Sequence, residues 1–223
     1  MRKARLMDDL TKLTVDSFLD QLAERSPTPG GGGATGVAGA LACALAHMVA
    51  AYSVGKKTEP AVRTQVEKAV SHLHHADQLL RALITQDATA YADMAEAARS
   101  RRLQPARTSA AQSTYADAVL ASIAVPMEMA AVVSNALAAM DEFKELANRH
   151  LLSDLGIAAV LADATARAAR YTVRVNVPEL AEAAKRSRIL TEIDGIAENC
   201  RRHCESIEAF VRGHLENDPA DNR

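Results

Sequence analysis

Asp87 stands where a carboxylate is costly. Val62, Val66, Ala69, Leu73, Ala76, Leu80, Ile84, Asp87, Tyr91, Met94 and Ala98 recur at steps of four and three, the seam of a long amphipathic helix with one charged member. A charge on an apolar face must be paired, hydrogen-bonded or put to use. Its two readings are a buried salt bridge or capping contact, and a carboxylate put to functional use. A second feature is the run Ser26-Pro27-Thr28-Pro29-Gly30-Gly31-Gly32-Gly33, which opens onto Ala34 to Val54, a stretch without Asp, Glu, Lys or Arg that closes at Gly55-Lys56-Lys57. Glycines at a helix entrance cost conformational entropy and leave the backbone approachable. The unpaired N–H groups and positive dipole end there suit an anion or a carbonyl oxygen; the other reading is a plain hinge after Pro29.

Other chemistry-bearing residues divide less sharply. Asp154 follows Ser153, and an acid in the first turn after an N-cap is good helix chemistry in its own right. Lys56 and Lys57 fit a solvated helix end. Cys200, His203 and Cys204 sit within two turns, but a zinc site wants four ligands and no second pair is evident, so no metal site is expected. His72, His74 and His75 cannot share one helix face and read as solvated, while His47 reads equally as a buried, hydrogen-bonded residue or as a site-lining one.

The elements that must position these groups are helices. Roughly a fifth of the 223 residues are alanine, there is no Trp, and Tyr and Phe number four and three, so the core is built from Ala, Leu, Val and Met at close distance. Thr14 caps a short helix over 15–25. An apolar helix runs from about Gly33 to Lys57, and a third starts at Thr58-Glu59-Pro60. Arg99 to Ala106 is expected to be a basic turn. A second seam follows through Val119, Ile123, Pro126, Ala130, Val133, Leu137 and Met140, bent at Pro126. Asn148 to Leu152 connects to a helix from Asp154 to about Tyr171, with Ser153 as its N-cap. Residues 172–177 alternate like a strand without a partner and are expected to form an extended or distorted connector. Pro178 opens the last helix to about Leu215, and 216–223 is an expected disordered tail. One domain over 1–223 is implied, with no internal repeat.

Composition narrows the partners. Twenty-six basic against twenty-eight acidic side chains give a net charge of −2 and no footprint for nucleic acid. Ala34 to Val54 has a spanning length but is mostly Ala and Gly, so a buried helix is expected, with a small-residue surface that lets a neighbour approach closely. Three cysteines, Cys43, Cys200 and Cys204, and no signal peptide point to the cytoplasm.

Thr28-Pro-Gly-Gly-Gly, Val54-Gly-Lys-Lys, Asp87 with an aromatic four residues on, Val125-Pro126 and Ser153-Asp154-Leu-Gly-Ile-Ala-Ala, in that order, resemble the methenyltetrahydrofolate cyclohydrolase and formiminotetrahydrofolate cyclodeaminase family. The resemblance runs from about Thr14 to Val177. It implies an all-α, multihelical array of long antiparallel helices, dimeric, binding a reduced folate without metal or nucleotide cofactor. The implied reaction is hydrolysis of 5,10-methenyltetrahydrofolate to 10-formyltetrahydrofolate. The runner-up is cyclodeamination of the formimino derivative with release of ammonia, placed second because no formiminotransferase partner domain accompanies the chain. A non-catalytic helical assembly subunit is the alternative of another class. The resemblance also assigns Asp87 and Asp154 as catalytic, Asp154 holding the guanidine-like edge of the pterin, and Pro29, Gly30, Gly31, Gly32, Lys56, Lys57, Asn148, Ser153, Arg174 and Asn176 as substrate-binding. Thr172 stands where the family commonly has Asn, Ala147 where it has Gly, and its Leu-Pro-Lys arrives late as Leu103-Gln104-Pro105-Ala106 without the lysine.

If the long helices alternate up and down, a rise of about 1.5 Å per residue puts Lys57 roughly 36 Å from Gly33 and roughly 45 Å from Asp87. The glycine loop, Asp87, Arg174 and Asn176 then share one end; Lys56, Lys57, Asn148, Ser153 and Asp154 share the other. One folate cannot bridge them within a subunit, so either one group is structural or a two-fold dimer completes an intersubunit site.

Overall fold

The structure is a computed structural model in which residues 9–103 and 109–216 are described, the side chains of 109–111 excepted. Six α-helices form it: α1 (Val15–Ala23), α2 (Gly31–Tyr52), α3 (Pro60–Leu103), α4 (Ser109–Phe143), α5 (Leu152–Asn176) and α6 (Ala183–Leu215), and no strand occurs among the described residues. Thr14 caps α1 by accepting from Ser17 N, as expected. The array of long antiparallel helices is therefore the all-α architecture implied by the sequence.

Helices α2 to α5 make a four-helix bundle in which α2 packs on α3, α3 on α4, α4 on α5 and α5 back on α2, while α6 lies over α4 and α5. What lets α2 enter this bundle is the absence of side chains on one face. A Cβ on Gly36 would come 2.5 Å from Ile84 Cγ1 and 3.2 Å from Met129 Cε; one on Gly39 would come 3.0 to 3.2 Å from Thr165, Leu80 and Val133. Three neighbouring helices thus meet α2 within one turn. The main core follows this contact, with Cys43, Ala46, Val49, Leu73, Leu80, Met129, Val133, Leu137, Leu155 and Ala162 buried.

Helix α3 runs four turns past the start of α2, by about 24 Å from Asp87 to Leu103. There the α3–α4 hairpin needs another cover. A second core supplies it, built from Ala97, Tyr115, Val119, Ile123, Val173, Val177, Leu180 and Ile193, with the 3-10 turn Val177–Glu179 and the start of α6 closing over the hairpin. Tyr115 donates to Glu179 Oε2 at 2.6 Å and Arg101 stacks on the Tyr115 ring at 3.8 Å.

Several local expectations are corrected. The chain is helical through Arg99 to Leu103, because the second core buries Ala97 and half-buries Met94 and Ala98; the rest of the expected basic turn, 104–106, lies outside the described residues. The α3 seam shifts after Asp87, leaving Tyr91 exposed and burying Ala88, Ala90 and Ala97. Residues 172–176 continue α5 rather than forming an extended connector, since Val173 and Val177 face the second core at helical, not alternating, spacing. Ser153 is not the N-cap: a 3-10 turn, Arg149–Leu151, leads directly into α5 at Leu152, and that turn is capped by Asn148, whose Oδ1 accepts from His150 N at 3.0 Å. Helix α2 starts at Gly31 and stops at Tyr52, so Lys56 and Lys57 belong to a turn, and α6 begins at Ala183 rather than at Pro178. The tail beyond Glu216 lies outside the described residues.

Gly36→Ala adds helix propensity but forces Ile84 and Met129 apart; overpacking wins, and urea unfolding should show a loss of about 1–3 kcal/mol. Gly195→Ala, in α6 where nothing lies within 4 Å of an added Cβ, should instead gain about 0.5–1 kcal/mol.

Candidate active site

One layer of the bundle carries most of the chemistry. Gly36, Ile84 and Met129 meet in the layer below it. One turn further along each helix come Gly32 on α2, Asp87 on α3 and Pro126 on α4, because α2 runs antiparallel to α3 and α3 to α4. The Asp87 carboxylate presses against Gly32, where any Cβ would collide with both of its oxygens. Gly32 is thus a glycine for a steric reason, and Asp87 sits beside the first turn of α2.

That first turn is bare. Gly30 takes the N-cap position with no side-chain cap, and no ionisable side chain occupies the turn. Gly30 O accepts from Ala34 N at 3.0 Å, which starts the helical ladder and leaves the N–H groups of Gly31, Gly32 and Gly33 pointing out of the end. Pro29, joined to Thr28 by a cis peptide, packs under Gly33, whose added Cβ would meet Pro29 Cβ at 3.4 Å. Asp87 is half-buried and makes no hydrogen bond or ion pair with the other described residues. Burial pushes its carboxyl above the usual carboxylate range. Loss of water disfavours its charged form, while the positive end of the α2 dipole acts in the opposite sense.

The structure draws Arg174 and Asn176 to the same end and gives both of them protein partners. Arg174 Nη2 donates to Asp194 Oδ1 and Oδ2 at 2.9 and 2.6 Å, an ion pair between α5 and α6. Asn176 Nδ2 donates to the carbonyl of Ser122 at 3.1 Å. Ser122 was not singled out in the sequence, although the position four residues before a mid-helix proline is where a carbonyl loses its partner.

At the other end, Lys56 and Lys57 lie exposed in a turn clamped by Gly55 N to Thr58 Oγ1 at 2.8 Å and by Arg63 Nη2 to Gly55 O at 2.6 Å. Asn148 ties the end of α2 to the start of α5: its N donates to Ser53 Oγ at 2.9 Å and its Nδ2 to Tyr52 O at 3.3 Å. Ser153 and Asp154 follow in the first turn of α5. Asp87 and Asp154 are thus separated by the length of α2, about 33 Å. The cysteines of the Cys-Arg-Arg-His-Cys run are buried, with their thiols pushed up by burial to about 11 at Cys200 and about 12 at Cys204. His203 Nδ1 instead contacts Asp141 Oδ2 at 2.9 Å, and among the described residues no group of three or more His, Cys, Asp and Glu is placed to hold a metal.

Residues 14–195 match the Formiminotransferase-cyclodeaminase family, and the chain belongs to it. The methenyltetrahydrofolate cyclohydrolase of Methylorubrum extorquens is 28% identical over 82% of this chain and 88% of its own length. The mouse formimidoyltransferase-cyclodeaminase is 25% identical over 93% of this chain, which spans 38% of that longer protein. The crystal structure of the formiminotetrahydrofolate cyclodeaminase of Thermotoga maritima superposes with a TM-score of 0.82 at 27% identity, over 92% of this chain and 99% of that one.

A raised folded-state pKa means that the ionised Asp87 disfavours folding at neutral pH, and that this penalty disappears as pH falls below the ordinary carboxylate value. Asp87→Asn should therefore raise the thermal midpoint at pH 7, and the gain should shrink as the pH is lowered towards 4 in a calorimetric series.

Proposed function

We propose that the chain hydrolyses 5,10-methenyltetrahydrofolate to 10-formyltetrahydrofolate, with Asp87 as the proton-transfer group. The observation that carries this reading is the Asp87 carboxylate, without a partner among the described residues, seated against Gly32 at the open end of α2. The methenyl carbon is cationic, and an ionised carboxylate in a poorly hydrated site attracts it. A water oxygen bonds to that carbon while Asp87 takes one of its protons. The carbon–N5 bond then breaks, N5 receives the proton from Asp87, the carbinol hydroxyl loses its proton to solvent, and the formyl group stays on N10. One proton is released overall. The N–H groups of Gly31 to Gly33 can hold the developing formyl oxygen. Each step draws on a carboxylate, the backbone and water, so no cofactor is invoked.

The reading is supported by the similarity to the Methylorubrum extorquens cyclohydrolase over most of both chains. Cyclodeamination is the second reading, favoured by the likeness to the Thermotoga maritima structure. Purified protein assayed on each substrate separates them. Wild type should accelerate methenyl hydrolysis above its spontaneous rate, and Asp87→Asn should lose about 100-fold or more in kcat. Hydrolysis at background level, or an Asp87→Asn enzyme with unchanged rate, refutes the proposal. Since the base must be ionised, activity should fall on acidification at a pH above the ordinary carboxylate range.

We further propose a two-fold dimer, in the cytoplasm, that joins the two ends of the bundle. Support comes from one apolar face: Leu41 at the midpoint of α2 is 58% exposed, and on the neighbouring α5 Ile157 and Val160 lie on one side of the midpoint with Tyr171 and Val175 on the other, all exposed. A patch arranged symmetrically about its centre is self-complementary under a perpendicular two-fold axis. Such an axis at Leu41 lays the Lys56–Lys57 turn of one subunit over the Gly30–Asp87 end of the next. Helix α2 and residues 112–146 are long and apolar enough to cross a membrane, and both are bundle helices with about half of their most apolar stretch buried inside the protein, 44% and 50%. Light scattering should return twice the 23.8 kDa chain mass, and Leu41→Arg should give an inactive monomer; a fully active monomer overturns the shared site.

A further inference from the structure

We propose that Asn176 is a positioning residue that latches the C-terminal end of α5 to α4 one turn before Pro126 and so holds the layer in which Asp87 works. This rests on the reading of Asp87 given above and assigns Asn176 to the protein rather than to the ligand. Pro126 lies inside α4 and has no N–H, so the carbonyl of Ser122, four residues earlier, has no helical donor. Ser122 is buried, 6% exposed, and a buried carbonyl without a donor is costly. The Asn176 amide reaches across from α5 and supplies the donor at 3.1 Å.

The alternatives open to each group are used up elsewhere. Ser122 Oγ donates to Val119 O at 2.8 Å, so the hydroxyl stabilises the preceding turn and not its own carbonyl. Asn176 ends α5 and stands at the N-cap of the Val177–Glu179 turn, where asparagine ordinarily bonds its own backbone; here its side chain makes no cap bond. The bond thus connects residues 54 apart in sequence, between two helices that both border the catalytic layer. Pro126 lies level with Gly32 and Asp87 by the register through Gly36, Ile84 and Met129. Loss of the bond would loosen α4 at the level of Asp87 without touching Asp87 itself. Arg174, two residues earlier, contributes differently: its pair with Asp194 is half-exposed and joins α5 to α6 rather than to α4.

A double-mutant cycle tests the latch. Pro126→Ala restores an N–H that can bond Ser122 O within the helix, so the donor from Asn176 becomes redundant. In the native background Asn176→Ala should weaken the folding equilibrium constant about tenfold and lower kcat several-fold with KM nearly unchanged. In the Pro126→Ala background the same change should cost less than twofold in folding. Equal losses in both backgrounds overturn the proposal. If Asn176→Ala does not fold, Asn176→Asp, which keeps the shape and removes the donor, is compared in the two backgrounds; a harmless Asn176→Asp overturns the latch as well. A raised KM with kcat unchanged would return Asn176 to direct substrate binding. A wild type without cyclohydrolase activity counts against the proposed reaction alone, because the folding cycle still decides the latch.

Discussion

The structure depends on how closely α2 can approach its neighbours. Gly32, Gly36 and Gly39 leave three successive turns of α2 without a Cβ on one face, and Asp87, Ile84 with Met129, and then Leu80 with Val133 and Thr165 fill the space. Backbone-to-side-chain contact of this kind gives dispersion energy at the shortest separations a helix pair permits, without large side chains to order. It explains why a chain with no Trp and few aromatics closes a core at all. The same contact places a carboxylate against a helix end. Packing and chemistry here have one geometric cause.

Electrostatics at that end is a contest between two effects. The first turn of α2, uncapped and free of ionisable groups, favours an anion beside it. Burial of the carboxylate against Gly32 removes its water and raises its proton affinity. Asp141 shows the opposite balance. It too loses water, but Lys144, His203 and Ser206 all bond it, and together they hold its carboxyl below the ordinary range. Two half-buried aspartates in one bundle thus diverge because one is fully partnered within the protein and the other is left for something outside it.

How much of this was legible in the sequence depends on the range of the interaction that decides it. Thr14 as a cap, the α3 seam up to Asp87 and the whole Val119–Met140 seam are set by neighbours three or four residues away, and periodicity finds them. The stretch 172–176 failed because β-branched Thr172, Val173, Val175 and Val177 alternate with polar residues, while the deciding contact is the burial of Val173 and Val177 by α6 and the α3–α4 hairpin. The seam beyond Asp87 drifted for the same reason, once α2 ends and a different set of helices covers α3. Asp87 itself was legible as an anomaly. Its partner surface, the bare Gly32 backbone, was legible only as a motif, since no periodic rule says which glycine a distant side chain will meet.

Motif residues need not all serve the ligand. Asn148 lies within a matched region and spends its backbone N–H and both ends of its side-chain amide on Ser53, Tyr52 and His150; Asn176 serves a carbonyl stranded by a proline. Both polar side chains repair backbone at places where a helix is interrupted, and a bundle that must bring α2 and α5 ends to fixed positions requires such repairs. Residues retained for that purpose and residues retained for chemistry look alike in a motif. What separates them is whether the polar groups are already satisfied inside the fold, and by that criterion Asn148 and Asn176 belong to the fold, whereas the Asp87 carboxylate has no partner among the described residues.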